Sequence, residues 1–168
     1  PVNQGKEIYN AYHNLYPGIK NTFYLNVQKM LKKNRTLTNF FGRPHTFLDR
    51  WGSVLFRQAY SWIPQSSVTE LLNRRVFSYI YHNLDIFAPV EILNQVHDSV
   101  VFQIPRSVPI RDHLRMLENI KKNTESHYFN YRGTRFNIPL DCEVFTDNWK
   151  SGVELEDWTL GELKKIVN

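Results

Sequence analysis

Between Val90 and Phe102 the chain reads Val-Glu-Ile-Leu-Asn-Gln-Val-His-Asp-Ser-Val-Val-Phe, two apolar runs split by a short polar step. Valine, isoleucine and phenylalanine fit a pleated, packed surface better than a helix, so the runs read as buried strands over 90–96 and 99–104. The simplest path between them is a hairpin with Asp98 at its tight turn. That constrains the rest of the chain, which must supply whatever covers the hairpin. It also holds a carboxylate at a sheet edge, where an oxygen-seeking cation such as Mg²⁺ can bind. Asp-Ser is ordinary turn chemistry as well, so the dipeptide alone does not decide between the two roles.

The flanking segments have helical period. Residues 4–15 suit a short helix ended by Tyr16-Pro17-Gly18. Ile19, Phe23, Val27, Met30 and Leu31 then fall on one face of a helix over 19–33. Thr36–Phe40 and His45–Leu48 flank Gly42-Arg43-Pro44, the pattern of strand, turn, strand. Residues 51–62 read as helix, with a break or kink at Pro64. Ser67-x-x-Glu70 has the spacing of a capping box opening a second helix to about Asn83. Arg111–Asn123 is a further amphipathic helix with Leu114, Leu117 and Ile120 on one face. Arg135–Phe145 reads as a strand, and the tail from Asp141 is acidic. The order suits an α+β domain, an antiparallel sheet backed by helices.

Composition narrows the functional classes. The 168 residues are 42% hydrophobic and 14% aromatic, enough for a real core. No apolar run approaches the roughly 18 residues of a membrane span, and the first residues are polar, unlike a signal peptide. Cys142 is the only cysteine, which excludes an intrachain disulfide and a thiolate zinc cluster and suits a reducing, cytoplasmic setting. Charge is uneven: residues 1–60 hold nine Lys/Arg and two acids, Glu7 and Asp49, a net +7, whereas residues 61–168 carry a net −2. A basic third beside a near-neutral remainder suits a polyanion-facing surface or a solvated basic helix.

Several short motifs are colinear. Tyr16-Pro17-Gly18, Thr38-x-x-x-Gly42-Arg43, the run from Arg57 through Ser61 to Gln65, His97-Asp98 after an apolar strand, Ile138-Pro139-Leu140 with Glu143, and Asn148-Trp149 occur in this order. Together they resemble the C-terminal part of a family A (polymerase I-like) DNA polymerase, from about Gly5 to Trp149. The resemblance implies a palm-type domain over 1–168. Residues 1–34 would be helices following the fingers, 35–149 the palm and 150–168 a C-terminal tail. It implies that Asp98 is the second metal-binding aspartate of motif C and that His97 lies near the primer end. Arg43, Arg57, Gln65 and Ser61 become contacts to DNA. Ser99 departs from the usual Glu, and Ser61 stands where many relatives have Asn. The residues around Ile138 and Asn148-Trp149 are expected to pack the palm.

The same resemblance implies a DNA primer-template and dNTP as substrates and two Mg²⁺ ions as cofactor. Two-metal phosphoryl transfer needs carboxylates from two strands to hold ions about 3.5–4 Å apart. The 168 residues contain no Asp-Tyr-Ser-x-x-Glu motif A, no fingers motif and no exonuclease motif. The expectation is therefore a fragment or subunit of a split or processed phage-type polymerase, inactive without a partner chain and located in the cytoplasm, of the host if viral. The alternative is a non-catalytic nucleic-acid-binding module derived from a palm. A His-Asp phosphohydrolase fits worse, because there the pair sits on helices among further histidines. A single-subunit RNA polymerase fits less well than a DNA polymerase, given Pro64-Gln65-Ser66 and Asn148-Trp149.

Overall fold

The computed structural model describes residues 2–167. It is mixed α+β, with helices interleaved among two-stranded antiparallel ribbons. The chain divides into two compact units, Pro1–Ser67 and Val68–Asn168.

In the first unit, α1 (Val2–Leu15) stops where the sequence places Tyr16-Pro17-Gly18. The helix expected over 19–33 forms in two windings, a π-helical segment Ile19–Tyr24 and then α2 (Leu25–Asn34). Val27 and Leu31 are buried as expected, but Met30 is exposed. Successive helical residues point about 100° apart, so Met30 sits at the edge of the stripe that Leu31 centres. The chain leaves α2 through Arg35, in the left-handed region at φ 57°. Its N–H bonds the Leu31 carbonyl at 2.9 Å. Its guanidinium donates to the carbonyls of Phe47, at 2.8 Å, and Asp49.

Strands β1 (Thr36–Thr38) and β2 (Pro44–Thr46) pair antiparallel, Thr36 opposite Thr46. Buried Asn39 organises the turn between them. Its Oδ1 accepts the N–H groups of Phe41 at 2.9 Å and Arg43 at 3.0 Å. Gly42 completes the turn at φ 85°, where a side chain would be strained. The core beneath is Val27, Leu31, Leu37, Phe47, Leu55 and Ala59.

Helix α3 (Ser53–Leu72) is continuous through Pro64, so neither the break nor the Ser67 capping box forms. Ser67 Oγ instead donates to the Ile63 carbonyl at 2.6 Å and accepts the Phe40 N–H at 3.2 Å. Glu70 pairs with Arg74 at 2.8 Å. An interior proline costs about 3 kcal/mol. Buried Leu55 and Ala59 before it, and Leu71 and Leu72 after it, offset that by packing both ends of the long helix.

The second unit continues with a π-helical segment Asn73–Phe77, then α4 (Ser78–His82) and α5 (Leu84–Phe87). The hairpin of β3 (Glu91–Val96) and β4 (Ser99–Gln103) follows, then α6 (Ile110–Glu125). Beyond these lie β5 (Phe129–Tyr131) paired with β6 (Thr134–Phe136), β7 (Glu143–Val144) paired with β8 (Val153–Glu154), and α7 (Leu160–Val167). Met116 and Ile120 of α6 join Leu72, Val76, Ile80 and Phe87 in one cluster. Leu117, one residue around, joins Leu155 and Leu163 in another. One helix thereby holds two small cores together.

The structure corrects four expectations. Strands β3 and β4 are half-buried rather than buried, with Leu93 55% exposed. They pair only with each other, and a bulge between Ile92 and Asn94 twists the ribbon. The single antiparallel sheet is therefore replaced, among the described residues, by four separate ribbons. The strand expected over 135–145 survives only at its ends, because Pro139 offers no N–H to a ladder. Trp149, expected in packing, is 63% exposed and stacks on Phe145, at 5.5 Å between ring centres.

Helix α7 lies in the acidic tail, where no helix is expected. Its signal was present: Thr159-x-x-Glu162 has the spacing of a capping box, although the Glu162 carboxylate caps the residues before Thr159. The Glu162 N–H reaches Thr159 Oγ1 at 3.2 Å, and its carboxylate accepts the N–H groups of Glu156 at 2.7 Å and Asp157 at 2.9 Å. Glu162→Ala is expected to destabilise the second unit by about 1 kcal/mol, read in a urea melt; an unchanged midpoint would refute the cap.

Cys142 packs against the Leu155 cluster, and burial pushes its thiol from the ordinary 9.0 up to about 11, with Lys121 pulling partly the other way. The thiolate is the reactive form, so the folded chain should alkylate far more slowly at pH 8 than the urea-unfolded chain. The folded value lies above the unfolded one, so this contribution to stability is complete below pH 9 and lost between about 9 and 11. Equal alkylation rates in folded and unfolded chains would contradict the burial. Among the described residues no helix is long and apolar enough to cross a membrane.

Candidate functional site

The β3–β4 hairpin closes with a loop of two residues, His97 and Asp98, between Val96 and its partner Ser99. Loops this short need positive φ, and His97 supplies it at φ 53°. Histidine is among the non-glycine residues that tolerate this region. The Ser99 hydroxyl donates to the Val96 carbonyl at 2.8 Å and braces the turn from inside. Asp98 is exposed at the tip, and among the described residues no donor binds its carboxylate. Three residues before Asp98, the side-chain nitrogen of Gln95 is buried without a hydrogen-bond partner among the described residues.

The turn suits a hard cation in one respect: Asp98 offers free carboxylate oxygens, the donors Mg²⁺ prefers. Ser99 is turned back onto the backbone, so it adds no ligand. Among the described residues no group of three or more His, Cys, Asp or Glu side chains comes together as a metal site. These residues therefore fit one carboxylate's share of a metal centre and not a two-ion centre by themselves.

The proposed DNA contacts lie in the first unit. Arg57, Ser61 and Gln65 recur every four residues on α3, which sets them along one face. Arg57 and Gln65 are exposed, and Ser61 is half-buried. The Ser61 hydroxyl bonds back to the carbonyls of Arg57 and Gln58, each at 3.1 Å. A serine that satisfies its own helix in this way has little reach toward a ligand. Arg43 is exposed at the β1–β2 turn. That turn is tied to the same helix: Asn39 Nδ2 donates to the Ser66 carbonyl at 3.3 Å, and the Phe40 N–H to Ser67 Oγ. Arg43 and the Gln65 end of the α3 face are therefore neighbouring features of one unit, whereas His97 and Asp98 belong to the other.

Two residues that the sequence reading passed over stand beside this face. Tyr24 and Tyr60 stack with ring centres 3.8 Å apart and planes 9° from parallel. They line, with Ile19, Phe23, Arg57 and Ser61, an open cavity of about 360 Å³. Burial raises the Tyr24 phenol above its ordinary range, and the nearby Tyr9, Tyr12 and Tyr60 add to the shift. Tyr60 was legible as part of the α3 pattern. Nothing in the sequence pairs it with Tyr24.

No family model matches this chain, and no curated protein or solved structure matches it. The resemblance to family A polymerases rests on the colinear motifs alone.

Proposed function

We propose that these residues form the C-terminal, palm-type part of a family A DNA-directed DNA polymerase. They would contribute the motif C carboxylate and primer-template contacts to nucleotidyl transfer. The observation that most supports this reading is the turn itself. His97-Asp98 occupies a two-residue hairpin loop, with the carboxylate exposed and unpartnered at its tip. The turn backbone is braced by the Ser99 hydroxyl on the Val96 carbonyl, and that fixes where the carboxylate is presented to an ion.

In this reading the second aspartate and the groups that bind the dNTP come from outside the 168 residues. Bound Mg²⁺ would lower the charge on the transferring phosphoryl group. Asp98 holds its place through the brace at Ser99 and the strained backbone at His97. Arg57, Gln65 and Arg43 grip a duplex without reading its sequence, because phosphates and minor-groove acceptors are common to every base pair.

Primer extension tests the proposal. The chain with Mg²⁺, dNTPs and primer-template is expected to add no nucleotide alone. It is expected to do so when a polypeptide carrying Asp-Tyr-Ser-x-x-Glu and a fingers segment is supplied in trans. Extension by the isolated chain, or none by the mixture, would sink it. Binding gives a second measurement. The net +7 of residues 1–60 predicts duplex affinity that falls steeply with salt, with a logarithmic slope of about −0.9 per phosphate contact. An affinity indifferent to salt would count against a phosphate-gripping surface.

One observation favours a second reading, a binding module without chemistry. Ser99 stands where the motif has Glu, and its hydroxyl is committed to the Val96 carbonyl. Normal duplex binding together with no extension in trans would select this reading.

A further inference from the structure

We propose that the cavity between the π-helical segment Ile19–Tyr24 and α3 is a stacking site for one unpaired nucleotide of a DNA strand. The assignment of the strand as DNA rests on the polymerase reading above.

Tyr24, Tyr60 and Phe56 form a near-parallel column, with Tyr60 and Phe56 6.2 Å apart and 14° from parallel. Gln28 Nε2 donates to the Tyr60 hydroxyl and fixes the middle ring. A preorganised aromatic face is what an unpaired base stacks on, and any base will do because each has a π-face. The bases of an intact duplex are already stacked and offer no such face. The cavity, about 360 Å³, falls at the lower end of the range for small-ligand sites.

The polar side of the cavity favours a nucleotide over a plain apolar group. Arg57 lines it, is exposed, and among the described residues has no carboxylate partner. The only carboxylates of the first unit, Glu7 and Asp49, do not line the cavity. An unpaired guanidinium beside a stacked ring pair matches a base with its own phosphate. The aromatic surface continues beyond the cavity. His13 of α1 meets Tyr24 with ring centres 6.0 Å apart and T-stacks on Tyr9 at 4.3 Å. Buried His13 Nδ1 has no hydrogen-bond partner among the described residues. A row of rings on a basic unit suits a strand better than a free nucleotide.

The test uses the 168-residue chain and a dT12 oligonucleotide carrying one 2-aminopurine, with a blunt duplex and dTMP as controls. Binding is expected to quench the aminopurine. Tyr24→Ala should weaken single-strand binding roughly tenfold, while Tyr24→Phe and blunt-duplex binding stay unchanged. Arg57→Gln alters an exposed side chain and leaves the fold alone. It should reduce the single-strand salt slope by about 0.7. If Tyr24→Ala fails to fold, the quench and the Arg57→Gln slope decide the matter. The inference is overturned by a folded Tyr24→Ala that binds dT12 like the parent, by an absent quench with an unchanged Arg57→Gln slope, or by dTMP binding as tightly as dT12. Failure of the chain to bind blunt duplex would instead count against the polymerase reading and leave a positive single-strand result standing.

Discussion

Asp98→Asn is expected, on the proposed polymerase reading, to cut primer extension by the complemented chain at least a thousandfold, about 4 kcal/mol of transition-state stabilisation. The substitution keeps the shape of the side chain and removes only its charge. Asp98 is exposed at the tip of the hairpin and accepts no hydrogen bond from the described residues, so the fold has nothing to lose. Melting temperature and duplex affinity should match those of the parent. Ser99→Ala should leave the rate within a few-fold. It should cost about 1 kcal/mol of stability, because the Val96 carbonyl loses its donor at 2.8 Å. Should the complemented Asp98→Asn enzyme extend primers at the parent rate, Asp98 is not a metal ligand, and the chain is better described as a binding scaffold.

The second large effect is on folding. Phe87→Ala should destabilise the second unit by about 3–5 kcal/mol, the range for emptying a buried phenylalanine site. Phe87 has no exposed surface, packs in the cluster with Leu72, Val76, Ile80, Met116 and Ile120, and sets its ring edge-on to Tyr79 at 5.2 Å. Small domains have only about 5–15 kcal/mol in hand, so the variant should melt early or fail to fold. Leu48→Ala is the control. Leu48 is the same kind of apolar residue but 87% exposed, and its truncation should move stability by less than about 0.5 kcal/mol. Urea melts of both separate the cases, and a Phe87→Ala change below about 1 kcal/mol would show that the cluster does not carry the unit.

A polar network on the same unit shows why such packing is specific. Lys121 donates to Glu125 Oε1 at 2.8 Å and to the Leu140 carbonyl at 2.9 Å, and lies 4.4 Å from the centre of the Trp158 ring. Burial alone would raise the Glu125 carboxyl. Lys121 and the Leu140 N–H outweigh that and hold it below its ordinary value. His127 is pushed down instead, by burial and then by Arg75 and Arg74. Both depressed groups favour folding above their unfolded values and lose that contribution as pH falls through the folded ones, so the unit should weaken in acid.

Sequence by itself determined what short-range chemistry controls. The hairpin and its two-residue His97-Asp98 turn, the Gly42 turn, the buried stripe of Val27 and Leu31 and the face of α6 all follow from period, β-branching and turn residues within about a dozen positions. It also aligned Arg57, Ser61 and Gln65, because four-residue spacing makes one helical face wherever the helix survives. Only the tertiary structure decided whether it survives. Pro64 and the Ser67-x-x-Glu70 signal argue for a break, and local rules cannot weigh that against cores at both ends of α3. Tertiary structure likewise turned Ser61 and Ser67 onto their own helix and left β3 and β4 as a half-buried ribbon. It also brought Tyr24 onto Tyr60. That contact joins residues far apart in the chain, and burial and ring stacking between distant segments leave no mark on local spacing.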